Sequence, residues 1–454
     1  MLEIKGSGII YTLTKRDAKR VCNWLKNKGH NVSVYTADSD DRADLEQNLL
    51  NNEVKALVAT VALGMGFDKP DLAFVFHFQM PGSVVAYYQQ VGRAARGIDK
   101  GYGVLLSGEE DLEILRSFID GAFPSEQDCE AVFELLLQHD EGLPKVKILA
   151  ALNISSGKLN KLLTLVSLES PPPIVKDGST WQLTTADLTE EFWARTRRLT
   201  ALREKELAQM LTYVNLAHGK HMAFLIDALD GDAADVPVSS HPPLETSVDG
   251  EVEIEALKFL QRVFIPIAPR KKLPGGVTWA HYTGLKLSSK FRHQVGRALS
   301  YYGDGGWGRS VRNGKYEVGR FDDELVAACK AMIGEWDPSP KPTWVTCIPS
   351  NRHPDLVPDF ARRLASALDL PFLAVLRAAS DRPEQKKMQN SAHQAANLDG
   401  GFELTGAPWP SGPVFLVDDI VDSRWTLTIA AWLLLANDSG PVFPVVLSNS
   451  SKGA

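Results

Sequence analysis

Pro413–Val414–Phe415–Leu416–Val417–Asp418–Asp419–Ile420–Val421–Asp422–Ser423–Arg424–Trp425–Thr426–Leu427–Thr428 is the stretch on which the reading of the C-terminal half turns. Four consecutive apolar residues, Val414 to Val417, fit a strand covered on both faces, as in a parallel sheet. Two carboxylates stand where that strand should end. A short polar loop follows, and the run from Leu427 to Leu435 has the character of a helix beginning. In open α/β sheets the carboxyl ends of the strands are where ligands bind. A loop feeding a helix N-terminus offers backbone N–H groups and a favourable dipole to a phosphate.

Strand, acid pair and Thr/Ser-rich loop together resemble the phosphoribosyl-diphosphate (PRPP) motif of type I phosphoribosyltransferases. The resemblance implies that Asp418 and Asp419 hold ribose hydroxyls and that Ser423, Thr426 and Thr428 hold a phosphate. Asp422 is then the candidate general base. Arg424 and Trp425 stand where such loops usually carry glycine, so Arg424 either crowds the phosphate or adds a charge-assisted contact to it. Upstream, Pro349–Ser350–Asn351–Arg352 precedes a helical run in the place of the family's diphosphate loop. Arg382, Lys386 and Lys387, with Asn397–Phe402, resemble the flexible hood of the ComF-like branch. PRPP or a nucleoside monophosphate, with Mg²⁺, is the ligand so implied. Transfer of phosphoribose to an acceptor and ligand binding without catalysis both remain open.

The chain has 454 residues, enough for several domains each with its own core. Its four cysteines are far apart and form no C-x-x-C pair, so neither a disulfide framework nor a cysteine zinc site is expected. There is no signal peptide and no apolar run of transmembrane length, which makes a reducing cytoplasm the expected compartment and leaves no membrane partner.

At the N-terminus, Gly8–Tyr11, Val32–Tyr35, Ala56–Ala59 and Ala73–His77 read as strands alternating with amphipathic helices, hence a parallel sheet covered on both faces. Gly8–Tyr11, Val58–Pro70 and Gln89–Gln90–Val91–Gly92–Arg93–Ala94–Ala95–Arg96 resemble the second RecA-like lobe of bacterial RecQ-like DNA helicases. The last segment is a Gln-x-x-Gly-Arg-x-x-Arg signature. The resemblance implies that Arg96 is an arginine finger, Arg93 a second phosphate or coupling contact, and Gln89 a positioning residue. Planar guanidinium suits a developing phosphate charge. Thr60, Gly64 and Gly66 fall where the family grips a DNA backbone. No G-x-x-x-x-G-K-[ST] occurs. The expectation is therefore the C-terminal part of a 3′–5′ helicase of DNA repair or recombination. Its missing N-terminal lobe of the same protein would bind ATP and Mg²⁺.

Three helical runs and an Asp177–Gly178 hairpin over 119–186 describe a winged helix. Lys158, Asn160 and Lys161 on its third helix, with Lys176 on the wing, are the expected DNA contacts. A helical hairpin follows over 187–230. RecQ relatives carry a four-cysteine zinc site after it; only His218, His221 and His241 stand near that place, and no zinc is expected. Residues 231–250 read as an acidic, proline-bearing linker. From Lys258 to Arg320 thirteen Lys and Arg face only Asp304 and Glu317, interleaved with aromatic side chains. This basic segment (251–320), with Arg270, Lys271 and Lys272, suits DNA. The expected architecture is α/β multidomain: a RecA-like lobe at 1–118, a winged helix, a helical hairpin, and a phosphoribosyltransferase-like α/β domain at 321–454.

Overall fold

The computed structural model describes residues 4–63, 66–232, 236, 247–262, 264–281, 286–379 and 382–451. Gly64 and His241 lie outside them, as do Tyr282 and most of the acidic linker, including Pro237, Pro242 and Pro243. The chain forms two compact units, residues 1–124 with 187–247, and residues 125–186 with 248–454. Among the described residues no helix is long and apolar enough to cross a membrane.

The first unit is built on strands β1 (Ser7–Tyr11), β2 (Val32–Tyr35), β3 (Ala56–Ala59), β4 (Leu72–His77) and β5 (Tyr102–Leu105). Their order is β2-β3-β1-β4-β5 and every pairing is parallel. The side-chain period of two divides the strands between two cores. Ile9, Tyr11, Leu57 and Val75 pack with Leu45 and Leu49, whereas Ile10, Val58 and Phe74 pack with Ala18, Val21 and Cys22. The helices Glu190–Val214 and His221–Ala228 belong to this unit. Leu207, Met210, Tyr213 and Leu225 bury themselves against Met80, Val84, Tyr87 and Leu115. The helical pair is thus an extension of the N-terminal sheet rather than a free-standing hairpin, because its apolar stripe matches an apolar patch on that sheet's own helices.

The second unit opens with helices Glu126–Leu137, Lys145–Ala151 and Ser156–Ser167, and with strands β6 (Leu143–Pro144), β7 (Ile174–Asp177) and β8 (Thr180–Leu183) in the order β6-β8-β7. The turn between β7 and β8 places Gly178 at φ +54°, a conformation that favours glycine. After the helix Gly250–Gln261 come β9 (Ile265–Ile267), β10 (Gly296–Tyr301) and β11 (Trp344–Cys347). A small antiparallel ribbon of β12 (Leu376–Ala378) and β13 (Phe402–Leu404) follows, then β14 (Val414–Val421) and β15 (Val442–Asn449). The large sheet runs β11-β14-β15-β10-β9, parallel except for β9 at its edge. β14, between β11 and β15, is buried on both faces, as four apolar residues in a row suggest.

The basic stretch 251–320, expected to lead into the last domain, supplies two strands of that domain's sheet. Several of its cations are consumed internally. Arg292 donates to the Leu287 carbonyl, Arg297 lies 5.5 Å over the Trp336 ring, and Arg270 reaches the loop after β14. Ile265, Ile267, Ala298 and Leu299 are core residues, and their burial draws these neighbouring arginines against the protein, while Lys258, Arg262, Lys271, Lys272, Lys286, Lys290, Arg309, Arg312 and Arg320 stay exposed.

Candidate functional site

In the second unit, β14 ends beside the loop after β11, and between them lies a cavity of about 460 Å³. Asp418, Asp419, Asp422, Ser423, Arg424 and Thr426 line one wall, Pro349 and Ser350 another, and Lys386 reaches in from the third. The side chains expected from two distant motifs therefore converge. His353 and Gln385, from the same loop and hood, line the cavity as well, and sequence reasoning missed Lys315, Tyr302 and Gln394, which also line it. No local motif marks them, since they arrive from other elements.

The acid pair is largely buried: Asp418 is 7% and Asp419 9% exposed. Asp418 Oδ1 accepts from the Asp419 N–H at 2.9 Å, and Asp419 Oδ1 from the Ile420 N–H at 2.6 Å. Burial first, then the neighbouring Asp419 charge, pushes the Asp418 carboxyl well above the usual carboxylate range. Lys315 Nζ lies 2.7 Å from Asp419 Oδ2.

The loop beyond the acids is fixed by two arginines. Arg270 donates twice to the Ser423 carbonyl, at 3.0 and 2.7 Å, and stacks 4.9 Å over Trp425. Arg424 caps the helix Trp425–Ala436 at φ +68°, ψ +1°. That left-handed conformation is the physical reason a glycine suits this position. Its guanidinium donates to the Ala268 carbonyl at 3.2 Å. Thr428 is corrected: it is buried in the helix and its hydroxyl is spent on the Arg424 carbonyl at 2.8 Å rather than lining the cavity.

The remaining predicted ligand residues lie around the rim. Asn351 donates to the Ala379 carbonyl at 3.4 Å, and Arg352 pairs with Glu384 at 3.5 Å. Glu384 also holds Lys386 at 2.9 Å, tying the loop after β11 to the hood segment. Arg382 donates to the Asn397 carbonyl at 2.7 Å, and Lys387 is exposed. Neither lines the cavity, because the hood spends Arg382 on its own backbone.

The hood segment is clasped by the helix–turn–helix of the same unit. Asn390 Nδ2 donates to the carbonyls of Leu149 (3.0 Å), Leu152 (2.9 Å) and Ile154 (2.9 Å). In return Asn153 accepts from the Gln389 N–H at 2.7 Å and donates to the Lys387 carbonyl at 2.8 Å. Lys158, Asn160, Lys161 and Lys176 are exposed, as are Lys271 and Lys272; Arg270 is committed to Ser423.

In the first unit the Gln-x-x-Gly-Arg-x-x-Arg residues sit on and after the helix Val84–Val91. Gln89 is exposed. Arg96 is half-exposed and oriented by Asp68 at 2.9 Å. Arg93 instead donates to the Phe67 carbonyl at 2.8 Å, bracing the segment that follows β3. Thr60 is buried at the head of that segment. His77, behind the helix, bonds Gln90 at 2.6 Å, and burial pulls its pKa down to about 4. His221 packs edge-on against Tyr213, and among the described residues no three His, Cys, Asp or Glu are grouped to hold a metal.

Comparison with known proteins gives the class of the N-terminal region: residues 1–97 match the helicase conserved C-terminal domain family. RecQ-like helicases are among the relatives. The chain is 36% identical over 116 residues to RecQ-like DNA helicase blm-1 of Caenorhabditis elegans, which is 25% of this chain and 12% of that protein. It is 38% identical over 115 residues to ATP-dependent DNA helicase Q1 of Pongo abelii, covering 25% and 18%. It is 36% identical over 116 residues to ATP-dependent DNA helicase RecQ of Bacillus subtilis, covering 25% and 20%. The match thus spans at most a fifth of these relatives' length. Among solved structures, the E. coli DEAD-box protein SrmB bound to RraA is similar at 26% identity over 26% of this chain and 71% of that one, with a TM-score of 0.23. Residues 1–97 thus form a RecA-like parallel-sheet α/β region similar to the helicase conserved C-terminal domain of RecQ-like helicases.

Proposed function

We propose that the first unit is the second RecA-like lobe of an ATP-dependent DNA helicase, and that the second unit binds a phosphoribosyl ligand and carries a winged helix for DNA. In the helicase reading, Arg96 reaches the γ-phosphate of ATP held with Mg²⁺ by a separate ATP-binding lobe. Its pairing with exposed Asp68 keeps it oriented and free to be recruited. Arg93, bonded to the Phe67 carbonyl, couples that phosphate contact to the Thr60 segment expected at the DNA backbone.

The phosphoribosyl reading rests on one observation: Asp418, Asp419, Ser423 and Thr426 meet Pro349, Ser350 and Lys386 around a single cavity at the carboxyl ends of parallel strands. A phosphate would sit at the N-terminus of the helix Trp425–Ala436, where unpaired N–H groups and the helix dipole favour an anion. The acids would then take the ribose hydroxyls. Asp422, exposed at the mouth, is positioned for proton transfer should an acceptor bind. Binding is favoured over catalysis, because Arg424 is tied to the Ala268 carbonyl and Lys315 already engages Asp419. Calorimetry of the whole chain with PRPP and with a nucleoside 5′-monophosphate tests this. Binding should appear and weaken on Asp419→Asn; release of diphosphate with a nucleobase would instead establish a transferase. Absence of binding by either ligand refutes the reading.

A further inference from the structure

One carboxylate that the acid pair would offer to a metal is already taken by a cation of the chain. Lys315 Nζ stands 2.7 Å from Asp419 Oδ2, with only 18% and 12% of the two side chains exposed. The lysine is delivered by packing. It sits in the π-helical turn Gly314–Val318 that continues the helix Trp307–Asn313. A Cβ at Gly314 would come within 2.9 Å of the Arg320 carbonyl and of the Phe321 ring, so this turn is pressed against the body. Upstream, the Asp304 carboxylate accepts from the N–H groups of Tyr301, Gly306 and Gly308 at 3.2, 3.1 and 3.0 Å, fixing the loop that launches the helix.

Mg²⁺ requires near-octahedral oxygen coordination and gives up its water reluctantly. It is usually anchored by one or two protein carboxylates with substrate phosphate and water. Here the ammonium of Lys315 holds Asp419 Oδ2, and buried Asp418 already accepts the Asp419 N–H, so neither acid is left fully free to anchor it. The donor set does not fit the metal.

We propose that Lys315 is the built-in cation of this cavity, so that it takes a sugar phosphate without a divalent ion. The inference rests on the phosphoribosyl-binding reading and deepens it. Lys315 neutralises Asp419, while Lys386, paired with Glu384 at 2.9 Å, also lines the cavity. The ribose then meets an acid pair whose charge is already balanced.

The test is calorimetry of the whole chain with ribose 5-phosphate, in EDTA and in Mg²⁺. The wild type should bind equally, within about twofold, in both. Lys315→Met should weaken binding about tenfold or more in EDTA and recover part of it with Mg²⁺; Lys315→Arg should bind like wild type and ignore the metal. Titration of Mn²⁺, followed by its spin resonance without any sugar phosphate, should be silent for wild type and show binding to Lys315→Met. Sugar-phosphate binding by wild type only in Mg²⁺, Mn²⁺ binding by wild type, or unchanged binding by Lys315→Met in EDTA overturns the role of Lys315 and leaves the phosphoribosyl reading standing. No binding to wild type in either condition overturns both. Should Lys315→Met fail to fold, the metal response of wild type and of Lys315→Arg still decides.

Discussion

Asn390→Ala should unclasp the helix–turn–helix from the hood. Asn390 is 5% exposed, and its side chain makes two kinds of bond. Its Oδ1 caps the helix Ser391–Ala396 through the His393 N–H at 3.0 Å, which is worth ~1 kcal/mol. Its Nδ2 serves the three carbonyls of Leu149, Leu152 and Ile154, and two N–H groups leave at most two full bonds. Leu149 and Leu152 are partly exposed, so water relieves some of the loss; Ile154 is buried. Two lost bonds at about 1 kcal/mol each, plus the cap, give ~3 kcal/mol, or roughly a hundredfold in a local opening constant. Hydrogen exchange of Ser391–Ala396 and Lys145–Ala151 reads this directly. Both segments should lose protection together. Asn390→Ser, which keeps a capping oxygen but cannot span to the carbonyls, should recover only the cap's share. Asn153→Ala, at an exposed side chain, should cost about 1 kcal/mol. A less than threefold change in both segments, or a change confined to Ser391–Ala396, would refute the clasp.

Arg424→Gly should keep the loop and change stability by less than ~1 kcal/mol, since relief of the left-handed backbone offsets loss of the Ala268 bond; a melting shift beyond several degrees would contradict this. His77 titrates near 6.5 when unfolded and at about 4 when folded. The unfolded chain therefore binds the extra proton in between, and β4 should lose up to ~3 kcal/mol as pH falls from about 6.5 towards 4. Exchange of the Leu72–His77 amides should follow this slope, and His77→Gln should flatten it; an unchanged slope counts against it. Neutralising Lys158 with Lys161 should reduce the slope of log K against log salt for duplex DNA by about two, and an unaltered slope would turn that helix towards protein. The chain by itself, with no phosphate-binding loop in its sequence, should hydrolyse no ATP above background when DNA is added; steady turnover would overturn the division of labour between lobes.

Much of this molecule was legible in its sequence because its elements carry locally consistent signals. Val414–Val417 fits a strand buried on both faces, and the structure places it inside the second sheet, between β11 and β15. The third helix of the 125–186 region begins at a residue type suited to capping, and Ser155 there accepts the Lys158 N–H, as Thr14, Ser83 and Asp322 do for their own helices. The Asp177–Gly178 turn was fixed by glycine's tolerance of positive φ. What sequence could not decide was which apolar stripe covers which. The helices Glu190–Val214 and His221–Ala228 pack on the N-terminal sheet's helices, and residues 125–186 join the C-terminal half, because burial is non-directional and any exposed apolar face is a candidate partner. The same applies to charge. In the sequence Lys315 was one of thirteen bases read as a DNA surface. Only the pairing of β10 with β15 and the turn at Gly314 bring it to Asp419, 104 residues away, where a solvated cation becomes a counter-ion. Arg270, Arg292 and Arg297 were diverted likewise, onto a carbonyl, a carbonyl and a ring. Sequence determined the elements and the residue types at their ends; long-range packing decided which of those residues face a ligand and which are spent holding the fold.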